Sequence, residues 1–189
     1  NYYHQCALNF YNRTLVTEGS DLSPRFRFWT NVESADVHDN VFFNAGGPNT
    51  LELATTAGQY SFSNNWISED YVTTFDSGFI GTVNHAATIT GTNPGFTDRL
   101  QQNYRPVDSS PLIDQATTLD SSVVDSYPMT QEYEMHLRAI ARDEMNRDIG
   151  ALSLKIAVPV EDIPALSFIA IAGLGSIFAL IGFAATRKR

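Results

Sequence analysis

A cadence near 25 residues constrains the fold of this chain more than any other feature. Val37-His38-Asp39-Asn40-Val41-Phe42 aligns with Phe62-Ser63-Asn64-Asn65-Trp66-Ile67 at an offset of 25. Upstream, Gln5-Cys6-Ala7-Leu8-Asn9 aligns more loosely with Asn40-Val41-Phe42-Phe43-Asn44 at an offset of 35, the polar stretch 17–24 supplying the added length. Apolar pairs around an Asn at this period fit one coil of a parallel β-helix. Coils stack about 4.8 Å apart, so inward side chains form one apolar column. An Asn at the turn tolerates left-handed φ and can bond to the Asn one coil along. A β-sandwich with Asn-rich turns is the alternative that the same residues allow.

The local pattern agrees with short strands. Arg25-Phe26-Arg27-Phe28, Asp36-Val37-His38, Val41-Phe42-Phe43, Thr50-Leu51-Glu52-Leu53 and Gln59-Tyr60-Ser61-Phe62 are strand-length runs separated by turn formers such as Gly46-Gly47-Pro48-Asn49. No window before Asp120 keeps a helical period. Further on, Tyr133, Leu137 and Ile140 at i, i+4 and i+7, with Thr130 as a cap, predict one short helix near 130–141. The expected division is coils over 1–106, an irregular wrap over 107–154, a linker over 155–164 and an apolar segment over 165–189.

That last segment carries the second strong signal. Residues 165–186 hold no charge, and Arg187, Lys188 and Arg189 follow. As a helix this run would span roughly 33 Å, enough for a bilayer core. It is apolar all round, through Ala165, Leu166, Phe168, Ile169, Phe178 and Phe183, where a soluble helix would carry a polar stripe. The basic cluster reads as a stop-transfer signal with its end in the cytoplasm, which puts the body outside. Without those three residues the chain carries 9 basic and 21 acidic residues, a net −12. So acidic a body argues against nucleic-acid binding. A single cysteine excludes an intramolecular disulfide framework. With no initiator Met at Asn1, the expectation is the C-terminal piece of an exported, anchored protein.

Two resemblances follow from these residues. Asn93-Pro94-Gly95-Phe96-Thr97-Asp98, Asn103-Tyr104-Arg105-Pro106, Ser110-Pro111-Leu112-Ile113-Asp114 and Asp148-Ile149-Gly150-Ala151 occur in that order. Together they resemble the C-terminal end of bacterial right-handed parallel β-helix repeat proteins with a choice-of-anchor domain. The resemblance covers residues 35–151 and implies an all-β fold with a surface anchor behind it. Glu161-Asp162, then Ile163-Pro164-Ala165-Leu166, the apolar run and the basic end resemble bacterial C-terminal sorting signals of the Pro-Glu-Pro type or its Ile-Pro-Thr-Leu variant. Those imply recognition, and removal or replacement of the segment, by a membrane sorting enzyme.

Chemistry is sparsely encoded. Related β-helix enzymes include polysaccharide lyases, which need a base and a sink for charge, often Ca²⁺. The first lysine here is Lys155, outside the repeats. If Phe26 and Phe28 point inward, Arg25 and Arg27 stand outward, placed to pair with glycan carboxylates or sulfates, or simply to balance Glu33 and Asp36. Trp29 is a candidate sugar platform, and Trp66 falls where it should face the core. His38 is a base, a ligand or an exterior polar residue. Asp36 and Asp39, with Asn40 and Asn64 if adjacent coils align them, are the candidate Ca²⁺ ligands, although Asn64 and Asn65 serve equally as turn residues; no other cofactor is indicated. Three readings stand: a non-catalytic surface protein that binds an acidic extracellular polysaccharide, the distal part of a lyase or glycoside hydrolase whose site lies upstream, and a structural stalk or adhesin.

Overall fold

The computed structural model describes residues 6–134, 138–142 and 147–154. They form a mostly β structure whose organising element is a β-solenoid of about three turns. Each turn contributes to two stacked parallel sheets. In the first turn β1 (Ala7–Tyr11) leads to β2 (Thr14–Thr17). The second turn carries β3 (Ser23–Phe28), β4 (Ser34–His38) and β5 (Val41–Asn44). Next come β6 (Leu51–Ser63) and β7 (Trp66–Ser68), followed by β8 (Ile80–Ala86) and β9 (Ile89–Gly91). One sheet joins β1, β4, β6 and β3, with β8 on β6; the other runs β2-β5-β7-β9.

The two runs expected at 50–53 and 59–62 are one strand that bends at a corner. Its first half pairs with β3 and its second half with β4. Thr56 (φ 71) and Gly58 (φ 115) make the corner. A Cβ on Gly58 would lie 2.5 Å from the Phe28 ring, so glycine is required there for space as well as for φ.

The cadence of 25 is the true register between the second and third turns, where Val37 stands opposite Phe62 and Val41 opposite Trp66. The looser offset of 35 is not. Phe10 stands opposite Val37 and Asn9 opposite Asp36, an offset of 27. The error has a physical source. The variable length sits in the loop after β2, whereas the strand-turn-strand unit is constant, so alignment on apolar pairs alone slid past the turn.

That constant unit is a two-residue corner between the sheets. Asn12, Asp39, Asn64 and Ala87 occupy its first position, all left-handed at φ 50, 56, 51 and 50. Asn40 and Asn65 occupy the second, buried, and form a ladder. The Asn65 side-chain oxygen accepts from the Asn40 backbone N–H and side-chain amide, both at 2.9 Å. Asn40 in turn accepts from the Arg13 N–H and donates to the Phe10 carbonyl. One amide per turn thereby satisfies buried backbone groups that water cannot reach.

Inside the solenoid, Phe26, Val37, Phe42, Leu53, Tyr60, Phe62 and Ile67 form the main core. The rings of Phe26, Phe42 and Phe62 lie 5.8–6.2 Å apart, mostly edge to face. A second core lies on the outer face of the β2-β5-β7-β9 sheet, where Val41, Phe43 and Trp66 meet Leu112 and Ile149. Trp66 is buried as expected, but under this outer layer, and β5 is buried along its whole length.

The covering layer is the chain after the last parallel rung. β10 (Phe96–Asp98) and β11 (Asn103–Pro106) pair antiparallel, and the lone described helix, α1 (Ser121–Ser126), is capped by Asp120. The helix expected near 130–141 does not form. β12 (Gln131–Glu134) and β13 (Arg138–Ala141) pair antiparallel there instead. The reason is the side chain of Glu132, which is buried between exposed Gln131 and Tyr133. Its carboxylate takes a 2.5 Å ion pair from Arg105 and the Ser153 N–H at 2.7 Å. A period of two serves that contact, and a helical period would not. Among the described residues no helix is long and apolar enough to cross a membrane. The segment 163–189, with Ile163, Pro164, the apolar run and Arg187 to Arg189, lies outside them.

Candidate functional site

The outer faces of the two sheets differ in chemistry, and only one is open. Because parallel rungs stack in register, each outward position becomes a row. Asn9, Asp36, Ser61 and Asn84 form one row, and Ser34, Gln59 and Thr82 run beside it. All four members of the first row are exposed. Polar side chains about 4.8 Å apart give a ribbon of hydrogen-bonding groups along the stack. A third row holds Tyr11, His38 and Ser63.

Two walls border this ribbon. On one side the 29–33 loop reaches Gln59, whose amide bonds to Asn31. This loop carries Trp29, which is 73% exposed, with the Arg27 guanidinium 5.9 Å from its ring centre. The loop is held by Glu33, whose carboxylate accepts from the backbone N–H groups of Trp29 and Thr30 at 2.9 and 2.8 Å. These bonds keep the Glu33 carboxyl below its ordinary pKa. On the other side stands the strap around α1. Between it and the first turn lies a groove of about 380 Å³, lined by residues that include Tyr11, Arg13, Val123 and Tyr127.

The residues singled out from sequence fall in separate places. Arg27 is exposed beside Trp29, as alternation required. Arg25 is not a solvated partner to it. It is half-buried, its Nη1 donates to Ser23 at 3.0 Å, and Nε and Nη2 are buried without a hydrogen bond. Loss of hydration lowers its pKa.

His38 lies on the ribbon, 3.0 Å from the Thr117 hydroxyl through Nε2 and 3.5 Å from Asp39 through Nδ1. Asp39 is fully buried at the corner and accepts from Asn64 at 2.6 Å and from the Thr117 N–H at 3.2 Å. Burial raises its pKa, opposed by the Asn64 bond and by His38. A series of Thr, His and Asp so arranged invites a nucleophilic reading. Yet the Asp39 carboxylate is used to tie the strap to the corner, and His38 follows it there.

Asp36 points elsewhere and accepts the Tyr11 hydroxyl at 2.6 Å. That bond, after burial, raises the Tyr11 pKa. Asp36 and Asp39 thus have separate partners, and among the described residues no group of three or more His, Cys, Asp and Glu side chains could hold a metal ion.

The motif series found in the sequence has a structural meaning. The Asp148 carboxylate accepts from the Asp114 and Leu154 N–H groups, and the Ile149 N–H donates to the Leu112 carbonyl. The Gly150 N–H donates to the Asp39 backbone carbonyl, and a Cβ there would lie 2.7 Å from the Thr14 hydroxyl and 2.9 Å from Val41. Arg142, buried, donates to the carbonyls of Asp148, Gly150 and Ala151. The Ser110 hydroxyl donates to the Pro94 carbonyl at 2.6 Å. The motifs therefore find one another and press the strap onto the second sheet. Sequence reasoning missed Tyr11, Arg13 and Tyr127. Tyr11 was reachable from the correct register, but Tyr127 is brought to it only by the strap.

Comparison with protein families, with curated proteins and with solved structures finds no match to this chain.

Proposed function

We propose that this chain is the anchored end of an exported parallel β-solenoid that binds extracellular polysaccharide along its polar ribbon. The observation that carries the reading is the in-register row Asn9, Asp36, Ser61 and Asn84, open to solvent between two walls. A repeating hydroxyl-bearing polymer meets equivalent partners at each step of such a row. Trp29 and Arg27 offer a stacking face and a donor at its border. The uncharged run 165–186 with its basic end supports membrane anchoring, and Ile163-Pro164 supports handling by a sorting enzyme. The motif series favours a right-handed coil of the choice-of-anchor kind.

Binding is tested by retention of the full chain in gels carrying alginate, pectate, xylan or glucomannan. Retardation by at least one is expected, with loss in Arg27→Ala/Trp29→Ala. No retardation by any, or the same retardation in the variant, would overturn the reading. Anchoring is tested by deleting 165–189, which should move the protein from the membrane fraction to the medium. Continued membrane association would refute it.

A further inference from the structure

Resting on the polysaccharide reading, we infer that the groove between the first turn and α1 is a subsite for one neutral sugar ring. Its volume of about 380 Å³ lies in the range of small-ligand sites, which combine apolar walls with a few placed polar groups. Leu119, Val123 and Met129 supply the apolar wall. Tyr127 is 78% exposed and presents a ring at the mouth, a flat surface for the C–H face of a pyranose. Opposite stand Asn9, Tyr11 and Arg13. The Asn9 amide both donates and accepts, and among the described residues the exposed Arg13 guanidinium has no hydrogen-bond or ion-pair partner. The Tyr11 hydroxyl gives its proton to Asp36 and keeps lone pairs for a sugar hydroxyl.

Charge selects the class of sugar. Asp36 is held against Tyr11, and Asp120 lies close enough to act on the same phenol. Among the residues that line the groove Arg13 is the single arginine, and Asp36 and Asp120 offset it. Arg142 and Arg147, beyond the shared wall of Leu119, Tyr127 and Met129, act on Glu132, Asp148 and Asp39. A uronate therefore gains no net attraction, and the chain as a whole carries −9. A neutral ring uses the same groups as hydrogen-bond partners without that opposition. The groove is continuous with the ribbon through Asn9 and Tyr11, so it would hold the end of a chain lying along the rows.

The test uses the full chain and ligand-observed saturation-transfer NMR with cellobiose, mannobiose, xylobiose and digalacturonate. At least one neutral disaccharide should receive saturation on its ring C–H protons. Tyr127→Ala and Asn9→Ala, both at exposed positions, should weaken that binding about tenfold with an unchanged circular dichroism spectrum. Preference for digalacturonate would overturn the neutral assignment. Absence of neutral binding, or binding indifferent to both substitutions, would overturn the subsite. If retention in polysaccharide gels and its dependence on Trp29 persist, the subsite alone has failed. If they are lost as well, the polysaccharide reading has failed with it.

Discussion

The two sheets of the solenoid share their inner face and differ on the outer one. Along β4 and the second half of β6, burial alternates, with Ala35, Val37, Tyr60 and Phe62 inward and Asp36 and Ser61 exposed. Along β5 and β7 it does not alternate, because the strap covers Val41, Phe43 and Trp66 from outside. One sheet is thereby freed to display polar rows, while the other is used to hold the chain's own return. The difference teaches that a continuous apolar run in a solenoid rung marks a face with a second layer, not a deeper position in the coil.

The strongest test of this contrast is a pair of truncations. Phe42→Ala, inside the coil, and Trp66→Ala, under the strap, should each cost about 3–5 kcal/mol, measured by denaturant unfolding. If the outer layer were a loose cover, Trp66→Ala would cost far less than Phe42→Ala. That result would break the comparison. Next in size is the strap's own staple. Glu132→Gln leaves the partly buried Arg105 charge without its carboxylate and should cost about 3 kcal/mol. The strap should then become the first segment cut by protease.

A smaller difference separates ladder from ribbon. Asn65→Ala strands the buried Asn40 N–H and the Val37 carbonyl, at about 2 kcal/mol. Asn84→Ala, on the open row, should stay within about 0.5 kcal/mol and act only on ligand retention. Equal costs for the two would show that the ladder amides are not specially placed.

The smallest effect is expected at the last rung, where His85 stacks on Phe62 at 5.4 Å. Loss of hydration on the stacked face lowers its pKa below the ordinary 6.5. The charged form is thus disfavoured in the folded state. Its contribution is complete above pH 6.5 and is lost as pH falls through the lowered value. A His85→Phe variant should show a shallower loss of thermal midpoint between pH 7 and 5; an identical slope would exclude the role.

Much of the solenoid was legible beforehand, for reasons visible in particular residues. Val37 and Phe62 at the true offset, and Asn64 and Asn65 at the corner, were readable because each turn reuses the same local backbone conformations. The helix assigned near 130–141 was misread because the decisive partner of Glu132, Arg105, lies 27 residues away. The pairing of Arg25 with Arg27 failed similarly. Alternation gives the side of a strand, not what lies over it, and Arg25 keeps two buried donors where a solvated head was expected.

By itself the sequence determined the cadence, the left-handed Asn corners, the inward aromatic column and the apolar run at the end. All are local or periodic properties, set by backbone preference and by side chains that recur one turn along. Only the tertiary structure decided which outer face is covered, where the motif series docks and which residues enclose the groove. Those outcomes rest on contacts across long stretches of chain, such as Asn64 to Gln115 and Thr14 to Ala151, 51 and 137 residues apart. Such contacts depend on how two layers fit, and no spacing within either layer encodes that fit.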